Sequence, residues 1–132
     1  MNPNDIRIVR IYTEHAAALP PLTDDSVNAG VVGWDICIEW EAGSIQNALI
    51  PPLLLNYATR DIITNLLVPA LTSGAPVALA TNGAGVNTRY THRIAIGVAA
   101  LTAGHMYEVS ACLWVGAIPI HSYVHSWVFV AY

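Results

Sequence analysis

Residues 101–112, LTAGHMYEVSAC, decide how this chain is read. From Tyr107 onward apolar residues fall at every second position: Tyr107, Val109, Ala111, Leu113 and Val115 share one side, and Glu108, Ser110, Cys112 and Trp114 the other. A period of two is that of a β-strand with one face buried. Gly104, just ahead of the strand, is the residue best able to bend the backbone sharply, so the strand is read as starting after it.

Downstream, GAIP at 116–119 reads as a turn into a last strand, His121 to Tyr132. Upstream, residues 89–96 alternate, with Tyr90, His92, Ile94 and Ile96 on one face and Arg89, Thr91 and Arg93 on the other. PVALA at 76–80 is a short apolar piece before the turn segment TNGAGVN, in which NGAG at 82–85 reads as a turn. From Gly33 to Glu41 the alternation is cleanest: Trp34, Ile36, Ile38 and Trp40 oppose Asp35, Cys37, Glu39 and Glu41. IRIVRIYT at 6–13 is fit for an opening strand, followed by a Pro-, Asp- and Asn-rich loop from Leu19 to Gly30. Residues 44–75 read two ways: Pro51 and Pro52 suit a helix start, with Leu55, Ile62, Ile63, Leu66 and Leu67 as its face, whereas LLLNYAT and DIITNLL also suit short strands.

Composition narrows the function classes. The chain has 132 residues, the size of one domain. Only 11% of residues are charged and 55% are hydrophobic, which implies a largely neutral exterior that something covers. There is no lysine, and five arginines face nine carboxylates for a net charge of −4, which excludes the basic footprint of a nucleic-acid binder. The runs 62–88 and 109–132 carry no charge, but prolines, glycines, serines and histidines interrupt them, so no membrane span is expected. Met1 to Arg10 mixes acidic and basic residues and has no apolar signal-peptide stretch, which leads to an expected place in the cytoplasm or within an intracellular assembled particle.

The segment Leu101 to Cys112 resembles the corner between the fifth and sixth strands of immunoglobulin-like and fibronectin type III domains. There a Leu, a Gly three residues on and a Tyr three residues later form a tyrosine corner, whose hydroxyl bonds back to the backbone. Leu101, Gly104 and Tyr107 match that pattern, and Trp40 looks like the tryptophan that closes the second strand of such modules. Ala103 stands where a proline is usual, and no proline closely follows Trp40. The resemblance implies an all-β fold: one immunoglobulin-like antiparallel β-sandwich of about seven strands over residues 1–132, with room for a short helix within 52–68. It implies nothing about function. Cys37 shares its face with Asp35 and Glu39, and Cys112 with Glu108 and Ser110, so both thiols are expected on outward faces of opposite sheets, too far apart to bond, as suits a reducing compartment.

No catalytic constellation, nucleophile elbow or phosphate-cradling loop stands out, so no catalytic residue and no cofactor are assigned. His121 and His125 would share a metal on a helix, but along a strand they lie about 13 Å apart. His15 stands alone, His92 reads as a half-buried core residue, and His105 belongs to the corner. No spacing fits structural zinc, and Asp35, Glu39 and Glu41 read as a solvated strand face, so no metal is expected. With Trp114 outward, a last strand whose inward phase is Val124, Val128 and Val130 would add Tyr123, His125, Trp127 and Phe129 to an exposed aromatic patch. The opposite phase would make those aromatics core; a neutral exterior favours the patch. The expected function is a non-catalytic interaction or assembly module that self-associates through this patch as a homo-oligomer or meets a protein partner. The alternative is a domain binding a carbohydrate or apolar small molecule, and a hydrolase or metal enzyme stands third.

Overall fold

A computed structural model of the chain describes residues 2–15, 22–116 and 122–132, with backbone alone at 22–24 and 122–124. The expected turn after Gly116, and His121, lie outside the described residues. The fold is all-β. Six long strands carry it: β1 (Ile6–His15), β4 (Trp34–Ala42), β5 (Leu53–Asp61), β8 (Thr88–Ala95), β9 (Met106–Val115) and β10 (Ser122–Ala131). Four short ones complete the ten strands among the described residues: β2 (Leu22–Asp24), β3 (Ser26–Val27), β6 (Leu66–Leu67) and β7 (Val77–Leu79).

The strands form two sheets. The first has the order β2-β1-β4-β8, and the second β3-β10-β9-β5-β6, with β7 also on β5. Every pairing is antiparallel except β3 with the end of β10. One apolar core lies between the sheets. Ile11, Ile36, Ile38 and Trp40 enter it from the first, and Leu53, Leu55, Tyr107, Val109, Leu113 and Phe129 from the second. The alternation read in β9 is the alternation observed, because one face lies on this core; in β4 the core-facing Trp34, Ile36, Ile38 and Trp40 are buried as read, but Cys37 and Glu39 on the other face are buried too.

The corner ahead of β9 is built as its sequence suggests. Leu101 is buried, Gly104 takes a φ of +87°, and Tyr107 Oη accepts the Thr102 N–H at 2.7 Å. The Tyr107 ring stacks on Phe129 at 5.6 Å between centroids, and Gly104 N–H donates to Ala131 O at 2.8 Å. Corner and last strand are therefore locked together.

The segment 52–68 differs from expectation: it holds no helix. Residues 53–61 form β5, whose inward Leu53, Leu55, Thr59 and Asp61 are all buried. The helix, α1 (Ser44–Leu49), precedes the two prolines, and it ends at Ile50, which adopts a left-handed conformation (φ 48°). A residue before proline is disfavoured in the α region, so Pro51 stops the helix instead of starting one. Pro3 O accepts the Ile45 and Gln46 N–H groups at the helix start, and a Cβ at Gly43 would collide with Asn2 O and lie 2.6 Å from Pro3 C.

Inside α1, Asn47 is fully buried. Its Nδ2 lies 2.6–3.3 Å from Asn82 Oδ1, Ala84 O, Val86 O and Thr88 Oγ1, its Oδ1 accepts the Tyr90 hydroxyl, and its carbonyl accepts from Thr81 Oγ1 at 2.9 Å. One amide thus holds the loop 81–87, which contains few apolar side chains that could hold it otherwise.

Trp40 is 3% exposed and stacks on Tyr90 at 4.3 Å. Trp40→Ala is expected to cost about 3–5 kcal/mol in urea denaturation, as a large core deletion does. Tyr107→Phe, which keeps the ring and strands the Thr102 N–H, is expected to cost about 1 kcal/mol; an unchanged midpoint would deny the corner its structural role.

Candidate functional site

The two outward faces of the sheets are chemically opposite. On the first sheet, register sets Arg7, Glu41 and Arg89 in one row, Arg10, Glu39 and Thr91 in the next, and Tyr12, Cys37 and Arg93 in a third. A bulge at Val9 lets Arg7 and Arg10 share the outward face. Glu41 meets Arg7 at 3.0 Å and Arg89 at 3.1 Å; Glu39 meets Arg10 at 3.0 Å and Arg89 at 3.1 Å; Arg93 spans Asp35 at 3.2 Å and Glu14 at 3.4 Å. The carboxylates expected on a solvated face are instead roofed by arginines, and the Glu39 side chain is only 6% exposed. Every carboxylate in these rows has an arginine partner, although Glu39 Oε1, 3.1 Å from Arg89 Nη1, accepts no hydrogen bond.

Burial works to raise the Glu41 carboxyl, but hydrogen bonds from Arg89 and Arg7 outweigh it and hold it below the usual carboxylate range. Beneath the same arginines lies the Cys37 thiol, with Arg93 Nη1 3.4 Å from its sulfur. Burial dominates there and pushes the thiol up to about 11, so it stays protonated and unreactive. Both Cys37 and Cys112 are free, on outward faces of opposite sheets, as expected.

The second sheet's outward face has five rows, given by the β10-β9-β5 register. They run Val130–Met106 with Ile62 beside them, Val128–Glu108–Arg60–Leu67, Ser126–Ser110–Ala58, Val124–Cys112–Asn56, and Ser122–Trp114–Leu54–Ala78. Ile62, Leu67, Met106, Val128, Val130 and Leu54 are each 39–57% exposed, and Trp114 is half-buried. The only charges in these rows are Arg60 and Glu108, which pair with each other at 3.3 Å. Apolar ends therefore flank a waist of small residues. There a shallow trough of about 340 Å³ is lined by Asn56, Ala58, Ser110, Cys112, Thr72 and Ser73.

This register corrects the aromatic patch. Tyr123, His125, Trp127 and Phe129 lie opposite Leu113, Ala111, Val109 and Tyr107, the inward set of β9, so among the patch residues whose side chains are described only Trp114 is on the outward face. Phe129 is 1% exposed in the core, Trp127 is half-buried against it, and His125, though in the same phase, is exposed near the strand's start. The side chain of Tyr123 lies outside the described residues. The reason is packing: only Phe129 and Ala131 in the inward phase seat β10 on Tyr107 and the corner, which leaves Val128 and Val130 outside at 41% and 40%. Sequence missed Met106, Val128 and Val130; for the two valines there was one signal, that after Glu108 no charge marks either face of a strand.

The histidines do not converge. His92 is half-buried beside Tyr57, with its pKa lowered by burial, and His15 packs edge-on against Trp34. His105 belongs to the corner, its Nδ1 2.6 Å from Asp61 Oδ2. Desolvation works to raise the Asp61 carboxyl, but His105 and the Thr64 and Ile63 N–H groups outweigh it, and its pKa is lowered. No group of three metal-ligating side chains occurs among the described residues, and none of their helices is long and apolar enough to cross a membrane.

All three lowered groups act in one direction. A folded pKa below its unfolded value gives stability that is present above the unfolded value and lost as pH falls through the folded one. The urea midpoint is expected to begin falling below about pH 6.5, the unfolded value for His92, and to fall further below about pH 4 as Glu41 and Asp61 protonate. His92→Phe should flatten the first step and Glu41→Gln part of the second; a midpoint constant from pH 7 to 3 would contradict the pairing. No protein-family model, curated protein or solved structure matches the chain.

Proposed function

We propose that the chain is a non-catalytic, immunoglobulin-like assembly module that self-associates through the outward face of its second sheet. The immunoglobulin-like part is supported by the succession β1-β4-β8 against β10-β9-β5 and by the Leu101–Gly104–Tyr107 corner with its Tyr107–Thr102 bond.

The observation that carries the association is charge. Four arginines on the first sheet's outward face are matched by Glu14, Asp35, Glu39 and Glu41, and Arg60 by Glu108, so both outward faces are neutral. The excess acid of the chain belongs to Asp5, Asp24, Asp25 and Asp61, at strand ends and in loops. Two copies can therefore bring their second sheets together without repulsion, and burying Met106, Val128, Val130, Leu54 and Leu67 rewards it. The first sheet offers no such gain, since its charges already have partners.

A second reading, uptake of a small apolar molecule, now rests on the trough and its mainly apolar lining, because the aromatics of β10 do not join Trp114 on this face. Sedimentation of Met106→Glu and Leu67→Glu tests the first reading. Both side chains are exposed, so folding stability should move by no more than about 0.5 kcal/mol. Association is expected to weaken at least about tenfold, the effect of some 1.4 kcal/mol; equal association in both variants would reject this face.

A further inference from the structure

The outer edges of the sheets differ in how they are protected. Open strand edges attract other strands, and folds guard them with charge, proline, bulges or covering segments. The edge of β5 is sealed along its length: β7 pairs Leu53–Leu55, Ser73 and Thr72 bond Tyr57 and Thr59, and β6 pairs Arg60 and Asp61. The edge of β1 is covered at Thr13–His15 by β2 and elsewhere carries Arg7, Arg10 and the Val9 bulge. The edge strand β8 carries Arg89 and Arg93.

Over residues 122–129, β10 shows none of these devices among the described residues. Residues 122–129, SYVHSWVF, contain no carboxylate, arginine or proline and no bulge against β9. Among the described residues the strand's outer side is paired only at its end, where β3 takes Val130 and Ala131. Val130 and Tyr132 donate outward, to Asp25 O and Val27 O, while Ala131 donates inward to His105 O. Backbone direction alternates along a strand, so Val124, Ser126 and Val128 also aim their N–H and C=O groups outward.

We infer that β10 is a pairing edge for a second copy of this chain, running antiparallel about a twofold axis at Ser126. The inference rests on the self-association proposed above and gives it a second, separate contact. In this register Ser126 faces its own copy and Val128 faces the copy's Val124, ending where β3 begins. No like charges oppose each other, which singles out a second copy over a charged segment of another protein. The two second sheets then become one sheet, and their outward faces one continuous apolar surface.

Ser126→Pro tests this, because the N–H it removes points away from β9. Sedimentation of the full chain over a concentration series should show wild type and Ser126→Thr assembling beyond the dimer. Ser126→Pro should stop at the face-to-face dimer, with edge association at least tenfold weaker and an unchanged far-ultraviolet spectrum. Wild-type assembly preserved in Ser126→Pro overturns the edge contact while leaving face association intact, and a wild-type monomer at all concentrations overturns both. If Ser126→Pro does not fold, Ser126→Cys in a Cys112→Ser, Met106→Glu background, in which the face contact is weakened, decides: under a mild oxidant a disulfide-linked dimer supports the pairing, and its absence overturns it.

Discussion

Tyr107 answers two demands with one side chain. Its hydroxyl must receive the Thr102 N–H that the Gly104 corner leaves behind, and its ring must face Phe129 across the β9–β10 pair. Meeting both fixes where β10 lies against β9, residue by residue. A slip of one position would put Val128 and Val130 in the core and turn Phe129 and Trp127 out. The chemistry of the outward face thus follows from an inward contact, and so do the rows of that face and the outward direction of the Ser126 backbone.

The same logic shows which parts of the fold were legible in the sequence. β4 and β9 alternate between apolar and polar, so their faces identified themselves. β10 does not: both of its phases are apolar, aromatic in one and valine-rich in the other, and only register against Tyr107 separates them. In β5 the pattern is masked from both sides, since Leu54 is exposed while Thr59 and Asp61 are buried and bonded. The Arg–Glu rows were illegible for another reason. Glu41 and its partners Arg7 and Arg89 are 34 and 48 residues apart, and nothing in local spacing announces that they meet.

Those rows do more for specificity than for stability. Each arginine head is about half exposed, at 43–56% of the side chain, so single pairs contribute little. Yet a carboxylate as covered as Glu39 is costly to leave alone, and a one-residue slip of β1 or β8 on β4, which reverses the faces, would take Arg10 or Arg89 away from it. The first sheet is held to one arrangement by charge, and the second by the fit of aromatic rings.

Asn47 has a consequence for how this chain can change. The loop from Thr81 to Thr88 is held through main-chain carbonyls of Ala84 and Val86 and a few hydroxyl and amide groups, most of them gathered on one side chain outside the loop, with Asn87 accepting the Ser44 N–H and Asn82 donating to the Tyr90 hydroxyl besides. Its shape is therefore specified at position 47, and at Asn82 within it, while the side chains at 84 to 86 specify almost none of it. Sequence drift there would leave the architecture standing, and a single exchange in a six-residue helix some forty positions earlier would not.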